Sequence, residues 1–316
     1  MRFIDADEVN AGLPYEACIP LMREAMAAFS GGRTRQLLRS ILPLAGENMF
    51  GVMPGALAAD GPFGAKIISV FPHNFDHGGP SHQGVIVLFD AAGGAPAAVI
   101  EAGEVTALRT AAASAMATDV LARSDARRLA ILGYGRQAAE HARAIAKVRK
   151  IEHLTVWGRD AARAGGFATR MAEELAIPCE VAADARAAVE HANVICTVTP
   201  ATEPILHGAW LAPGVHVNLV GAGHAGQSEA DVELVAASRF FVDSREGVIA
   251  QGGEFRRAKA AGAVDDDHIA GEIGEVLLGR REGRRSPDEI TVYKSLGHVA
   301  QDLACASALY SGPKHA

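Results

Sequence analysis

The sequence predicts an α/β protein in which a doubly wound parallel sheet is joined to an α+β domain assembled from both ends of the chain. Three observations predict it. From residue 125 onward, apolar runs alternate with amphipathic helical segments, the signature of parallel strands linked by crossover helices. Before about residue 120, the runs GAKIISVF, HQGVIVLFD and PAAVIEA are separated by the turn signals Asp60-Gly61-Pro62 and Ala91-Ala92-Gly93-Gly94, which reads as antiparallel sheet. The last segment, EITVYKSLGHVAQDLACASALY, returns to one strand and one helix that rejoin the first domain. The expected domains are residues 1–120 with 288–316, and residues 121–287.

Taken in order, Val105 to Ala122 contains no Gly or Pro and is rich in Ala, so it predicts a helix carrying the chain from one domain to the next. Strand RLAILG, helix QAAEHARAIAKV, strand HLTVWG, helix DAARAGGFATRMAEELA and the apolar strands ICTVT and HVNLVG follow. Two of these strands run into glycine loops. Gly221 to Gly226, GAGHAG, is a full G-x-G-x-x-G, whereas Gly133-Tyr134-Gly135-Arg136-Gln137-Ala138 has Ala at the third glycine position.

Context selects the first loop as the cradle for a dinucleotide pyrophosphate. Its helix opens with Arg136 and Gln137, so charge and donors add to the free N–H groups and partial positive charge of a helix N-terminus. Ala138 is an accepted variant, because the third position only has to let helix and strand approach. After the second loop, Ser228 and Asp231 form an S-x-x-D capping box, and Glu229, Asp231 and Glu233 crowd the expected first turn, where they would repel a pyrophosphate. The next strand ends Gly158-Arg159-Asp160. Arg159 suits the 2′-phosphate of NADP, and Asp160 could still accept the ribose hydroxyl of NAD; the balance favours NADP.

Composition bounds the partners. With 49% apolar residues, 21% charged residues and a net charge of −7, the chain reads as well cored and not as a nucleic-acid binder. The one basic cluster, Arg280, Arg281, Arg284 and Arg285, reads as a solvated loop or helix end. Four cysteines without a C-x-x-C pair indicate neither a disulfide framework nor a metal site and suit a reducing cytoplasm. No apolar run is long enough to span a bilayer, and the acidic start MRFIDADEVN is unlike a signal peptide.

The runs GAKIISVFPHN, HQGVIVLFDAAGGAPAAVIEAGEVTALRTAAASAMAT, LAILGYGRQA, VWGRD and TVYKSLGHVAQDLA together resemble the ornithine cyclodeaminase/mu-crystallin family over about Leu37 to Leu309. The resemblance implies a Rossmann domain, a discontinuous substrate and dimerisation domain, a homodimer, and NAD(P)-dependent chemistry on a small amino or imino acid. It implies that Arg39, Lys66 and Arg109 hold the substrate carboxylate, a role suited to a bidentate guanidinium and a point-charge ammonium. By itself Lys66, beside the apolar Ile67 and Ile68, reads as a strand lysine whose ammonium reaches solvent. Ser81, His82 and Gln83 fall near a further substrate contact, with the inward-facing residue undecided.

The cofactor contacts implied are Thr110, Gly133, Tyr134, Gly135, Arg136, Gln137, Ala138, Gly158, Arg159, Thr197, Val198, Thr199, Val220 and Gly221. Cyclodeaminases of the family carry an acid/base Asp in the later glycine loop. Gly223 stands at that position here, with His224 beside it as either a substitute base or a loop histidine with no catalytic duty. A glycine cannot move a proton, so the expected activity is reduction of a cyclic imino acid such as pyrroline- or piperideine-2-carboxylate, or the related amino-acid dehydrogenation. Ornithine cyclodeamination is the alternative, and a mu-crystallin-like small-ligand binding protein a third.

Overall fold

The computed structural model describes residues 1–312 and divides into two compact units, the first holding residues 1–109 and the chain from His298 onward, the second Thr110–Gly297. The first unit runs β1 (Arg2–Ile4), α1 (Ala6–Gly12), α2 (Tyr15–Ser30), β2 (Arg35–Gln36), β3 (Ser40–Pro43), β4 (Met49–Ala56), β5 (Phe63–Val70), β6 (His82–Phe89) and β7 (Pro96–Glu101), and enters α3 (Ala102–Leu121). Then come β8 (Arg128–Leu132), α4 (Arg136–Val148), β9 (His153–Trp157), α5 (Ala161–Leu175), β10 (Cys179–Val181), α6 (Ala185–Val189), β11 (Val194–Thr197) and β12 (His216–Leu219). The second unit closes with α7 (Val232–Ala237), β13 (Arg239–Val242), α8 (Arg245–Gln251), α9 (Gly253–Ala260), β14 (Ile269–Glu272), α10 (Ile273–Leu277) and β15 (Thr291–Lys294), and α11 (Val299–Ser311) belongs to the first.

In the first unit the sheet order is β1-β7-β6-β5-β4-β2, with β3 also on β4. Every pair is antiparallel except β1 beside β7. The alternation of β5, FGAKIISV, puts Gly64, Lys66 and Ile68 on its buried side. Helix α11 packs on β4, β5 and β6 and on α2. The contact is close enough that a Cβ at Gly55 of β4 would lie 2.8 Å from Val299 Cγ1.

The second unit is an all-parallel sheet in the order β10-β9-β8-β11-β12-β15-β13-β14. Strands β11, β12 and β15 are buried at every residue, as expected of strands covered by helices on both faces. The order reverses between β8 and β11, where a doubly wound sheet leaves a ligand crevice at its carboxyl edge.

Two boundaries differ from the sequence reading. The division falls inside α3, between Arg109 and Thr110, and the segment expected to rejoin the first domain from residue 288 does so only from His298. Strand β15 instead inserts between β12 and β13, because a short strand buried at every position belongs in the middle of a covered parallel sheet. The expected segment ended at residue 316, and 313–316 lie outside the described residues.

Arg284 also departs from the solvated role read for its cluster. Its Nε donates to the Leu121 carbonyl at the end of α3, and its Nη2 to Thr291 Oγ1 at 2.9 Å. Arg149 donates to the carbonyls of Thr118, Asp119, Ala122 and Arg123, so two guanidinium groups close the C-terminus of α3. Among the described residues no helix is long and apolar enough to cross a membrane.

Candidate functional site

The first unit places Lys66, Arg109 and a residue the sequence reading missed, Asp302, around one buried ion-pair cluster. Lys66 projects from the middle of β5 toward α11 and is only 2% exposed, so the solvent-reaching alternative does not apply. Its Nζ donates to Asp302 Oδ1 at 3.1 Å and to Thr106 Oγ1 at 2.6 Å. Arg109 Nε donates to the same Asp302 oxygen at 3.0 Å, and its Nη1 to Gln301 Oε1 at 2.9 Å.

Local sequence explains this geometry. Strand β7 runs directly into α3, and the Glu101 carboxylate accepts from Gly103 N and Glu104 N, both at 2.7 Å, closing the junction. Thr106 and Arg109 are three apart on α3, so they share a face. Gln301 and Asp302 sit in the first turn of α11, whose cap is His298 with Gln301 closing the capping box.

Arg39 enters from the strand edge. It precedes the Ser40–Val52 pair by one residue, in line with Met53, which pairs with Lys66. Its charge is among those that lower the Lys66 pKa. The same register resolves the choice among Ser81, His82 and Gln83. Val70 pairs with His82 and Lys66 with Ile86, so His82 shares the Lys66 side of the sheet and its two neighbours take the other.

Charge tuning follows from burial. Desolvation pushes the Lys66 ammonium down to about 8, against the pull of Asp302 and with help from Arg109 and Arg39. Burial alone would raise Asp302, but Arg109 and Lys66 outweigh it and hold the carboxyl below its usual range. Crowding of the His82 ring, then the charges of Lys66 and Arg109, push it down to about 4, although part of the ring remains open to solvent. His298 is lowered to about 4 as well, chiefly by burial.

Two cations, Lys66 and Arg109, thus share one carboxylate, and the charge of Arg39 acts on Lys66. Of the five N–H donors of Arg109, one on Nε and one on Nη1 are committed, and among the described residues nothing accepts the remaining three. One lies on Nη1 and two on Nη2, and a guanidinium takes a carboxylate through such N–H groups in two parallel bonds.

In the second unit the first glycine loop leaves β8 at Gly133, whose φ of +131° only glycine adopts readily. A Cβ there would also lie 2.9 Å from Val198 Cγ2, where β11 approaches. Gly135 begins α4 with no side-chain cap, no acid in the first turn, and open space where a Cβ would be. This end of α4 fits a dinucleotide pyrophosphate: donors, positive helix dipole and room coincide.

Ala138 is buried beneath, and Tyr134 lies over Gly158, a Cβ there falling 2.2 Å from the ring. Arg136 Nε turns back to Glu140 Oε1 at 2.7 Å, and Gln137 gives its carbonyl to His141 Nδ1. Arg159 is exposed at the end of β9, while Asp160 caps α5 through Arg163 N at 3.0 Å. One Asp160 oxygen is therefore already in use.

At the second loop the expected capping box does not form. Asp231 alone caps α7, which starts at Val232, and Ser228 Oγ donates to the Ala230 carbonyl. Glu229 lies before the helix, fully buried, and accepts from Thr199 N, Thr199 Oγ1, Thr197 Oγ1, Gly221 N and Ala222 N at 2.6 to 3.2 Å. Burial pushes its carboxyl upward against the pull of Lys294, yet five donors converge on it, so we assign it as a carboxylate.

Lys294 bonds the Ala222 carbonyl at 2.7 Å and pairs with Glu254 at 2.9 Å, completing a buried brace. Thr197, Thr199 and Gly221, read as cofactor contacts, are thus committed to Glu229. Val198 lies beside Gly133, Val220 N donates to Thr197 O, and Thr110 is buried on α3. His224 is exposed, and its Nδ1 accepts from Gly226 N at 3.2 Å.

The signals for the missed residues were present. Asp302 is the one acid in VAQDLACASAL, and a lone carboxylate on an apolar helix implies a buried cation. Glu229 was visible, but its burial was not.

The family profile for ornithine cyclodeaminase/mu-crystallin matches residues 2–314. The chain belongs to the ornithine cyclodeaminase/mu-crystallin family. It is 35% identical over 313 residues to the ketimine reductase mu-crystallin of Rattus norvegicus, covering 98% of this chain and 96% of that one. To a Delta(1)-pyrroline-2-carboxylate reductase of Bacillus cereus it is 33% identical over 312 residues, with the same coverage of 98% and 96%. The solved structure of Thermococcus litoralis Delta(1)-pyrroline-2-carboxylate reductase in complex with NADH and L-proline superimposes with a TM-score of 0.95 at 32% identity, covering 98% of this chain and 96% of that one.

Proposed function

We propose that this member of the family is an NAD(P)H-dependent reductase of cyclic imino acids, with pyrroline- or piperideine-2-carboxylate as the substrate class. The observation that carries the reading is the cluster of Lys66, Arg109 and Asp302. It offers unused guanidinium donors for a carboxylate beside an ammonium whose pKa, about 8, lets it give up a proton near neutral pH. The relatives are themselves ketimine and pyrroline-2-carboxylate reductases.

When bound, the nicotinamide cofactor supplies the hydride that reduces the C=N bond. Gly133, Gly135 and the first turn of α4 hold its pyrophosphate, and Arg159 with Tyr134 and Gly158 forms the wall for the ribose, favouring NADP because Arg159 has no partner among the described residues. Arg109 and Arg39 orient the substrate carboxylate. Lys66 delivers the proton to the imine nitrogen, so His224 is not required for that step. Gly223 in place of an acid/base Asp fits reduction better than removal of ammonia.

We further propose a homodimer formed through the edge around β3. Leu37, Ile41, Leu42 and Leu44 are exposed there at 73%, 43%, 59% and 41%, a patch that a second copy would cover. The four cysteines are free thiols, which suits the cytoplasm.

Purified protein offered both imines, ornithine and both reduced and oxidised cofactors tests the reading. NADPH or NADH consumption with the imines is the expected result, and Lys66→Ala should lower kcat by about 10²-fold or more. Ammonia release from ornithine without net change in NADH would establish a cyclodeaminase instead. Tight binding with no turnover of any substrate would leave a binding protein.

A further inference from the structure

The hydrogen bonds around Lys66 are directional, and their direction fixes where its transferable proton sits. Nζ has three positions beyond Cε. Two are filled, by Thr106 Oγ1 at 2.6 Å and Asp302 Oδ1 at 3.1 Å. Among the described residues nothing occupies the third.

Both partners can only accept. The single O–H of Thr106 is spent on the Ala102 carbonyl one turn back in α3, so toward Lys66 its oxygen offers a lone pair. Asp302 is held ionised by Arg109 and Lys66 and has no proton to give. A neutral amine has two N–H groups and one lone pair. With two obligatory acceptors in place, both N–H groups are taken, and the lone pair must occupy the third position. In the ammonium, the same position carries the third N–H. Proton loss and gain therefore occur along one direction, without rotation of the amine.

We infer that Thr106 is a positioning residue that makes Lys66 a one-directional acid. The inference rests on the proposed role of Lys66 as the proton donor. The step balances simply: the imine carbon takes a hydride from the reduced cofactor, the nitrogen takes the third proton of Lys66, and neutral Lys66 regains a proton from solvent. Thr106 itself touches neither substrate nor cofactor in this scheme.

The other groups facing Lys66 do not confuse its titration near neutrality. Asp302 on α11 stays ionised, Arg39 and Arg109 stay charged, and His82 on β6 and His298 at the start of α11 are held neutral with pKa values about 4. Lys66 protonated is the active form, so activity is present below its pKa and falls as pH rises through it.

The test compares Thr106→Val with Thr106→Ser and Lys66→Ala. The chain has six lysines, so ¹³C-labelled lysine gives few enough signals to follow Lys66 by NMR, its peak being the one absent from Lys66→Ala. In Thr106→Val the loss of an acceptor for the charged form should lower the Lys66 midpoint by about one unit. The alkaline limb of kcat should move with it, and kcat should fall about tenfold with the KM for cofactor unchanged. Thr106→Ser should restore both.

Wild-type kcat and an unmoved Lys66 midpoint in Thr106→Val would overturn the inference alone, provided Lys66→Ala is inactive. Full turnover by Lys66→Ala would overturn the acid role of Lys66 and the inference with it. Should Thr106→Val fail to fold, Thr106→Ala measured in the same way decides by the same criteria.

Discussion

At Gly133–Ala138, helix α4 begins on a glycine, and no side chain caps its first turn; at Gly221–Gly226, the N–H groups of Gly221 and Ala222 already point at the carboxylate of Glu229. The two loops share a glycine pattern and a means of holding an anion, donated backbone N–H groups. One leaves the first turn of its helix without a side-chain cap, and the other is filled by its own chain. A glycine fingerprint therefore reports that backbone donors can converge on an anion, and says nothing of whether that anion is a cofactor phosphate or an internal carboxylate.

The largest break in the comparison should come from Glu229→Ala. It removes the acceptor for five donors and leaves Glu254 and Lys294 to share a buried space, which should cost about 3–5 kcal/mol, read as a fall in the urea midpoint. Next in size, Gly221→Ala should lose about 1–3 kcal/mol, since its Cβ would lie 2.1 Å from the Thr199 carbonyl oxygen and 2.6 Å from Glu229 Oε1.

Gly135→Ala sharpens the contrast. Its backbone angles suit alanine and its Cβ meets nothing within 4 Å, so stability should change by less than about 0.5 kcal/mol while the cofactor KM rises about tenfold. A stability loss in Gly135→Ala equal to that of Gly221→Ala would mean that both loops are merely structural. The smallest effect should be that of Arg159→Ala, which should weaken NADPH binding about tenfold and leave NADH binding unchanged. Equal losses for the two cofactors would remove Arg159 from reading the 2′-phosphate.

How much was legible can be argued from particular residues. Alternation in β5 and the β-α-β rhythm after residue 125 were visible because side-chain periodicity is written directly in the chain. The uncapped start of α4 and the room over Gly135 support the first glycine loop as the phosphate cradle, and the ground for setting the second aside is different from the expected one. The carboxylates there were expected at a solvated helix start, yet Glu229 turned inward and only Asp231 caps. Strand TVYK was visible as a strand and misassigned as to sheet, because pairing partners across some seventy residues leave no local trace.

The sequence by itself determined the fold class, the family, the candidate phosphate loop and the basic residues Lys66 and Arg109. These follow from periodicity, turn chemistry and motif, all properties of neighbours along the chain. Only the tertiary structure decided that Asp302 lies between those two cations, that His82 is the residue of its trio on their side, and that Glu229 fills the second loop. Each of these depends on burial and on contacts between distant segments. Burial lowers the effective dielectric and so decides which charges must pair.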